Sequence, residues 1–235
     1  MTGAGPSGRS SSSAHSRWPP ADLDFAFREW HHRLLMDADY SVELGPDDDV
    51  LDFPWSSPEH NLRYYDLKHQ PDLLLYISEA TEYQELGRYL FIVNSAASAF
   101  LTAKCDVWTD DELSEAEAIY EAKTKLACYI DQLFAEQGNG AEDPRFSFER
   151  HERFAERLVE LLGRVPSISA SLELIIRRCF YNLEESEPKA GYYMTIYVSG
   201  YGDDAVDARQ HWAIALDLLQ NAILQLSAEV RRNTV

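Results

Sequence analysis

Between Tyr192 and Val198 the chain alternates without a break. Tyr192, Met194, Ile196 and Val198 fall on one side, and Tyr193, Thr195, Tyr197 and Ser199 on the other. A period of two in β-branched and aromatic residues predicts a strand with one fully apolar face. Leu172–Asn182 fits two readings. As a strand it puts Leu172, Leu174 and Ile176 together; as a helix it stripes Leu172, Ile175, Ile176 and Cys179. The strand is preferred, because residues 184–191 then form the loop of a β-hairpin. Gly200-Tyr-Gly202 is expected to make a tight glycine turn, and Asp203 or Asp204 to cap a long helix. That helix carries Trp212, Leu216, Leu219, Ile223, Leu226 and Val230 at spacings of four and three, widened by Ile214 and Leu218. Such a stripe packs on a sheet, or forms the seam of a homodimer.

Earlier patterns are weaker. Asp22 is expected to cap a helix bearing Leu23, Phe27, Trp30 and Leu34. His31 and His32 diverge by about 100° on it, which suits a surface pair better than a metal site. Tyr40–Leu44 and Val50–Phe53 read as short strands that pair with the C-terminal hairpin, around an acidic turn at Gly45–Asp49. That turn lacks the ligand spacing of a calcium loop. Thr81-Glu-Tyr-Gln84 has the form of a capping box, predicting a helix over 82–97. Phe100–Trp108 reads as a strand. Thr109-Asp-Asp-Glu112 repeats the capping pattern and predicts a helix to about residue 136, with Leu113, Ala116, Tyr120, Ala127, Ile130 and Leu133 inward. A further helix starts near Asp143 or Ser147 and ends at Gly163, with His151 as a hydrogen-bonded core residue on its inner stripe. Residues 61–77 give no clear element. The sum is an α+β fold: about five helices on a small, mostly antiparallel sheet, ending in a β-hairpin and a long helix.

Composition changes this picture in three ways. Residues 1–20 are rich in glycine, serine and proline, predicting a disordered leader before one domain over 21–235. The 235 residues carry a net charge of −19, which opposes nucleic-acid and anionic-membrane binding and suits a cationic partner. A DNA-mimicking inhibitor is a third idea, resting on charge alone. The three cysteines are scattered and apolar in setting, without a disulfide or zinc pattern, so a reducing cytoplasm is expected. No apolar run approaches the length of a membrane span.

Nucleotide-binding, zinc-protease and serine-hydrolase motifs are absent. Two constellations remain. Tyr193, Tyr197 and Tyr201 share a strand face with Thr195 and Ser199, joined across the hairpin by Arg177 and Tyr181. Hydroxyl-bearing aromatics beside an arginine suit a pocket or a protein interface, unless a helix covers them. The second set is Asp106, Asp203, Asp204 and His211, which would hold a divalent metal for hydrolysis or group transfer if they converged. The expectation is a non-catalytic protein that binds a protein or small-molecule partner. A metal-assisted hydrolase or transferase is the alternative, and no cofactor is named.

Overall fold

The computed structural model describes residues 36–57, 59, 62–135, 143–165, 168–182 and 187–232. The leader, the helix expected from Asp22 with His31 and His32, and Gly138-Asn-Gly140, expected to end the helix that Thr109 opens, lie outside these residues. The architecture is mixed α and β, built on a six-stranded sheet and closed by a long C-terminal helix.

In chain order the elements are β1 (Asp37–Glu43), β2 (Val50–Phe53), α1 (Ser78–Glu82), α2 (Gln84–Val93), β3 (Phe100–Asp110), β4 (Thr124–Phe134), α3 (Phe148–Leu162), β5 (Ala170–Tyr181), β6 (Lys189–Gly202) and α4 (Ala205–Arg232). Short 3-10 turns lie at Pro71–Tyr76, Glu115–Tyr120 and Pro144–Phe146. Across the sheet the order is β1, β5, β6, β4, β3, with β2 continuing the β1 edge. The β5–β6 hairpin is antiparallel, as are β6–β4 and β4–β3. The expected antiparallel character holds only for these pairs. β1 and β2 run parallel to successive halves of β5, and the sheet is wider than expected.

The alternation in β6 fixes how the sheet is covered. Met194, Ile196 and Val198 are buried beneath Trp212, Leu216, Leu219 and Ile223 of α4. Phe154 and Leu158 of α3 and Leu86, Tyr89 and Leu90 of α2 join the same cluster. The three longer helices among the described residues therefore pack on one face. The stripe of α4 from Trp212 to Leu226 is buried in the chain's own core, with Val230 partly buried at its end. Ile214 does not widen it, being 38% exposed; Ala208, Ala215 and Ala222 do.

Three local expectations are overturned. The segment expected as a helix over 109–136 is a 3-10 turn followed by β4. That strand lies in the sheet interior and is buried on both faces, so its apolar residues do not alternate. Thr81 caps nothing: its hydroxyl donates to Ser78 O, and the helix breaks at Tyr83 into α1 and α2. Gly200 and Gly202 lie within β6 rather than in a turn. Their role is close approach. A Cβ on Gly200 would stand 2.2 Å from Trp212 N and 2.4 Å from Ala208 O, and one on Gly202 2.3 Å from Ala208 N. Asp204 caps α4 as expected, accepting from Val206 N and Asp207 N.

Gly200→Ala is expected to lift α4 off β6 and to destabilise the fold by about 1–3 kcal/mol, the usual cost of overpacking. Urea unfolding checks this; an unchanged midpoint would remove the close-packing account.

Candidate functional site

The second face of the sheet carries no α-helix among the described residues. Toward one end it is closed by a smaller cluster of Leu51, Ala103, Leu133, Cys179, Tyr181 and Tyr193, with Trp55 and Phe146 packed against it. Toward the other end the 3-10 turn Glu115–Tyr120 folds over it. There the Tyr120 ring stacks on Tyr201 at 3.9 Å, and Tyr201 Oη donates to Glu117 Oε1. Burial alone would raise the Glu117 carboxyl, but Lys125 at 2.7 Å and the Ser114 donors hold it down to about 2.

Between these ends lies a polar network. Asp131 of β4, 5% exposed, accepts from Thr195 Oγ1 at 2.7 Å. Thr195 Oγ1 accepts in turn from Arg177 Nη1 at 3.2 Å, and Arg177 pairs with Glu43 of β1 at 2.7 Å. Burial pushes the Asp131 carboxyl up to about 6, against the Thr195 hydrogen bond and the charges of Lys104 and Arg177. Burial works against the Arg177 charge too, but the Glu43 carboxylate outweighs it and the guanidinium stays protonated.

Arg177, Tyr181, Tyr193, Tyr197 and Tyr201 thus share one sheet face, and Arg177 stands directly opposite Tyr193. Four of the five are supports rather than contacts, with exposures of 9% or less for Arg177, Tyr181, Tyr193 and Tyr201. Their hydroxyls are met inside the sheet: Tyr181 Oη donates to Tyr192 O, and Tyr201 Oη meets Ser171 Oγ. Tyr197 is only half-buried.

Asp39, Glu173 and Tyr129, which sequence patterning does not mark as site residues, complete the exposed part with Asp106. The strand register sets Asp39, Glu173, Tyr197, Tyr129 and Asp106 opposite one another on five adjacent strand positions. At about 4.8 Å between strands, this row spans roughly 19 Å. Its outer members Asp39, Glu173 and Asp106 are exposed carboxylates, and its centre is aromatic. Tyr197 lies 6.2 Å from Tyr129 and 6.5 Å from Trp108, centroid to centroid.

The acidic set is not brought together. Asp106 stands level with Tyr197, so Asp203 lies six residues further along the strands, roughly 20 Å away. Asp203 pairs with Lys123, Asp204 caps α4, and His211 Nδ1 donates to Tyr201 O. Among the described residues no group of three or more His, Cys, Asp or Glu is placed to hold a metal ion. His151 is a buried core residue. Burial pulls its pKa down to about 4, and its neutral ring donates from Nδ1 to Ser147 O.

Comparison with family models, with characterised proteins and with solved structures finds no match to this chain. Among the described residues no helix is long and apolar enough to cross a membrane.

The Asp131 carboxyl gives a signed pH dependence. Its pKa is higher folded (about 6) than unfolded (about 3.9), so the native state binds the proton more tightly. Its contribution is therefore full below about pH 4 and is lost as pH rises to about 6, on the order of 2–3 kcal/mol. Asp131→Asn keeps an acceptor for Thr195. Urea titrations from pH 4 to 7 are expected to show the variant gaining on the native chain across that window and at least equal to it at pH 7. Parallel curves would mean that Asp131 is not raised.

Proposed function

We propose that this chain is a non-catalytic binding protein whose sheet face opposite α2, α3 and α4 docks a cationic segment of another protein. The observation that carries this reading is the transverse row Asp39–Glu173–Tyr197–Tyr129–Asp106, with carboxylates at both ends and aromatic rings between them.

The chemistry of the row is selective. Arginine or lysine side chains pair with the outer carboxylates and lie over the faces of Tyr197, Tyr129 and Trp108, where the ring quadrupole attracts cations. The net charge of −19 adds long-range attraction for a basic partner. The Asp131–Thr195–Arg177–Glu43 chain beside the row on the same face, buried except at Glu43, ties β4, β6, β5 and β1 together and so holds the rings in place. A second copy of this chain suits the row poorly. A two-fold contact through it would bring like carboxylates together.

The test uses an arginine-glycine repeat peptide of about twelve residues as probe, with binding followed by calorimetry. The native chain is expected to bind it in a salt-dependent manner. Glu173→Gln with Asp106→Asn, and separately Tyr129→Ala with Tyr197→Ala, should each weaken binding about ten-fold, which matches the loss of one or two cation–π or rim-charge contacts. Asp47→Asn with Asp48→Asn, which removes the same charge from the turn before β2, should leave it within two-fold. Equal effects from the row and the turn variants would reduce the interaction to net charge and end the proposal.

A further inference from the structure

A cleft opens on the outer edge of β3, beside the Asp106 end of the transverse row. The β-bulge between Thr102 and Lys104 leaves Ala103 outside the regular register, and Ala103 O accepts from the indole Nε1 of Trp55 at 2.7 Å. This bond anchors the segment after β2 against the sheet edge. Ser57 N donates to Leu62 O, Tyr64 N donates to Trp55 O, and Ser56 bridges Arg63, so the chain turns back there and brings Tyr65 round. Between this turn, the 3-10 turn at Pro71–Tyr76 and β3 lies a cavity of about 150 Å³.

Its floor is apolar: Leu67, Leu90 and Ala103 are all buried. Its walls are aromatic, from Trp55, Tyr65 and Tyr76, and Tyr76 is 71% exposed at the mouth. A cavity of this size accommodates about one benzene ring. Two cations line it as well. Lys104 Nζ sits 4.9 Å from the centroid of the Trp55 ring, and Arg63 Cζ sits 5.8 Å from that of Tyr65. Among the described residues neither is held in an ion pair, although acidic side chains outnumber basic ones 40 to 21 in this chain. Two cations resting on ring faces at the rim of an apolar hole are poised for a carboxylate whose apolar end fills the hole. Glu79 shares the lining, taking a hydrogen bond from Ser78 Oγ at 3.0 Å.

We infer that this cleft binds a small carboxylate carrying a single apolar ring. The ring occupies the space over Leu67, Leu90 and Ala103, and the carboxylate meets Lys104 and Arg63. Such a ligand is either a plain aryl-alkyl carboxylate or an aromatic amino acid, whose ammonium group Glu79 would take. The site borders the proposed docking face at Asp106, but its ligand chemistry does not rest on docking there.

The test uses the full chain with three probes: 3-phenylpropionate, 3-phenylpropan-1-ol and L-phenylalanine. Calorimetry and ligand-observed NMR are expected to show one site per chain, with 3-phenylpropionate at least ten-fold tighter than the alcohol. The Arg63→Met, Lys104→Met double variant should abolish that preference while retaining alcohol binding, which also reports that the cleft is intact. Tyr76→Ala, at an exposed wall position, should weaken both ligands. Phenylalanine binding more tightly than 3-phenylpropionate, with the gain lost in Glu79→Gln, identifies the amino-acid class. Phenylalanine binding no tighter identifies the plain carboxylates. No saturable binding by any probe overturns the inference, as does a carboxylate preference that survives in the double variant.

Discussion

The contact between α4 and β6 governs the architecture, because the helix axis can come that near only where the strand has no side chains. Gly200 and Gly202 supply two bare positions on the helix-facing side of β6, and the backbone of Ala208 and Trp212 fills them. With the helix seated there, Trp212, Leu216, Leu219 and Ile223 cover Met194, Ile196 and Val198, and α2 and α3 complete the layer. Concentrating the longer helices of the described residues on one side has a cost. The opposite face must manage its own polar groups, and it does so with the Asp131, Thr195, Arg177 and Glu43 chain and with tyrosine hydroxyls bonded inside the sheet. The sidedness of the molecule and the polar character of its open face share one origin.

What was legible in the chain follows from how evenly each element is buried. β6 has one face under helices and one polar face, so its alternation announces it. The hairpin with β5 and the stripe of α4 read through for the same reason. β4 hides because it is buried on both faces: Leu126, Cys128 and Ile130 lie under the helices while Ala127, Asp131 and Leu133 face the other way. Its apolar residues also happen to fall at three- and four-residue spacings after an acidic Thr-Asp-Asp-Glu string, which imitates a capped helix. The parallel pairing of β1 and β2 with β5 is equally silent in local patterning, since nothing in Tyr40–Leu44 specifies the direction of its partner.

The candidate site was legible in its supports and in Tyr197. The tyrosines of β6, with Arg177 and Tyr181 of β5, could be grouped because a hairpin fixes which residues face each other. The exposed members depend on long-range register. Asp39, Glu173, Tyr129 and Asp106 come from four different strands, and the one carrying Tyr129 was misread. Asp106 appeared in a metal set with which it shares no neighbourhood. Its place at the end of an aromatic row depends on which strands lie side by side.

The pairing of β1 with β5 also bears on how the chain comes to be assembled. Asp37 lies opposite Ser171, about 130 residues later in the sequence, and β1 and β2 border the described sheet on that side. A ribosome therefore delivers these two strands long before their template exists. Closing so long a loop is entropically slow, and pairings of high sequence separation come late in folding. Until β5 has been made, Val42, Leu51 and Phe53 have no partner strand, and the carboxylates spaced among them from Asp37 to Asp52 supply the mutual repulsion that keeps such a waiting segment from pairing with its neighbours on other nascent chains.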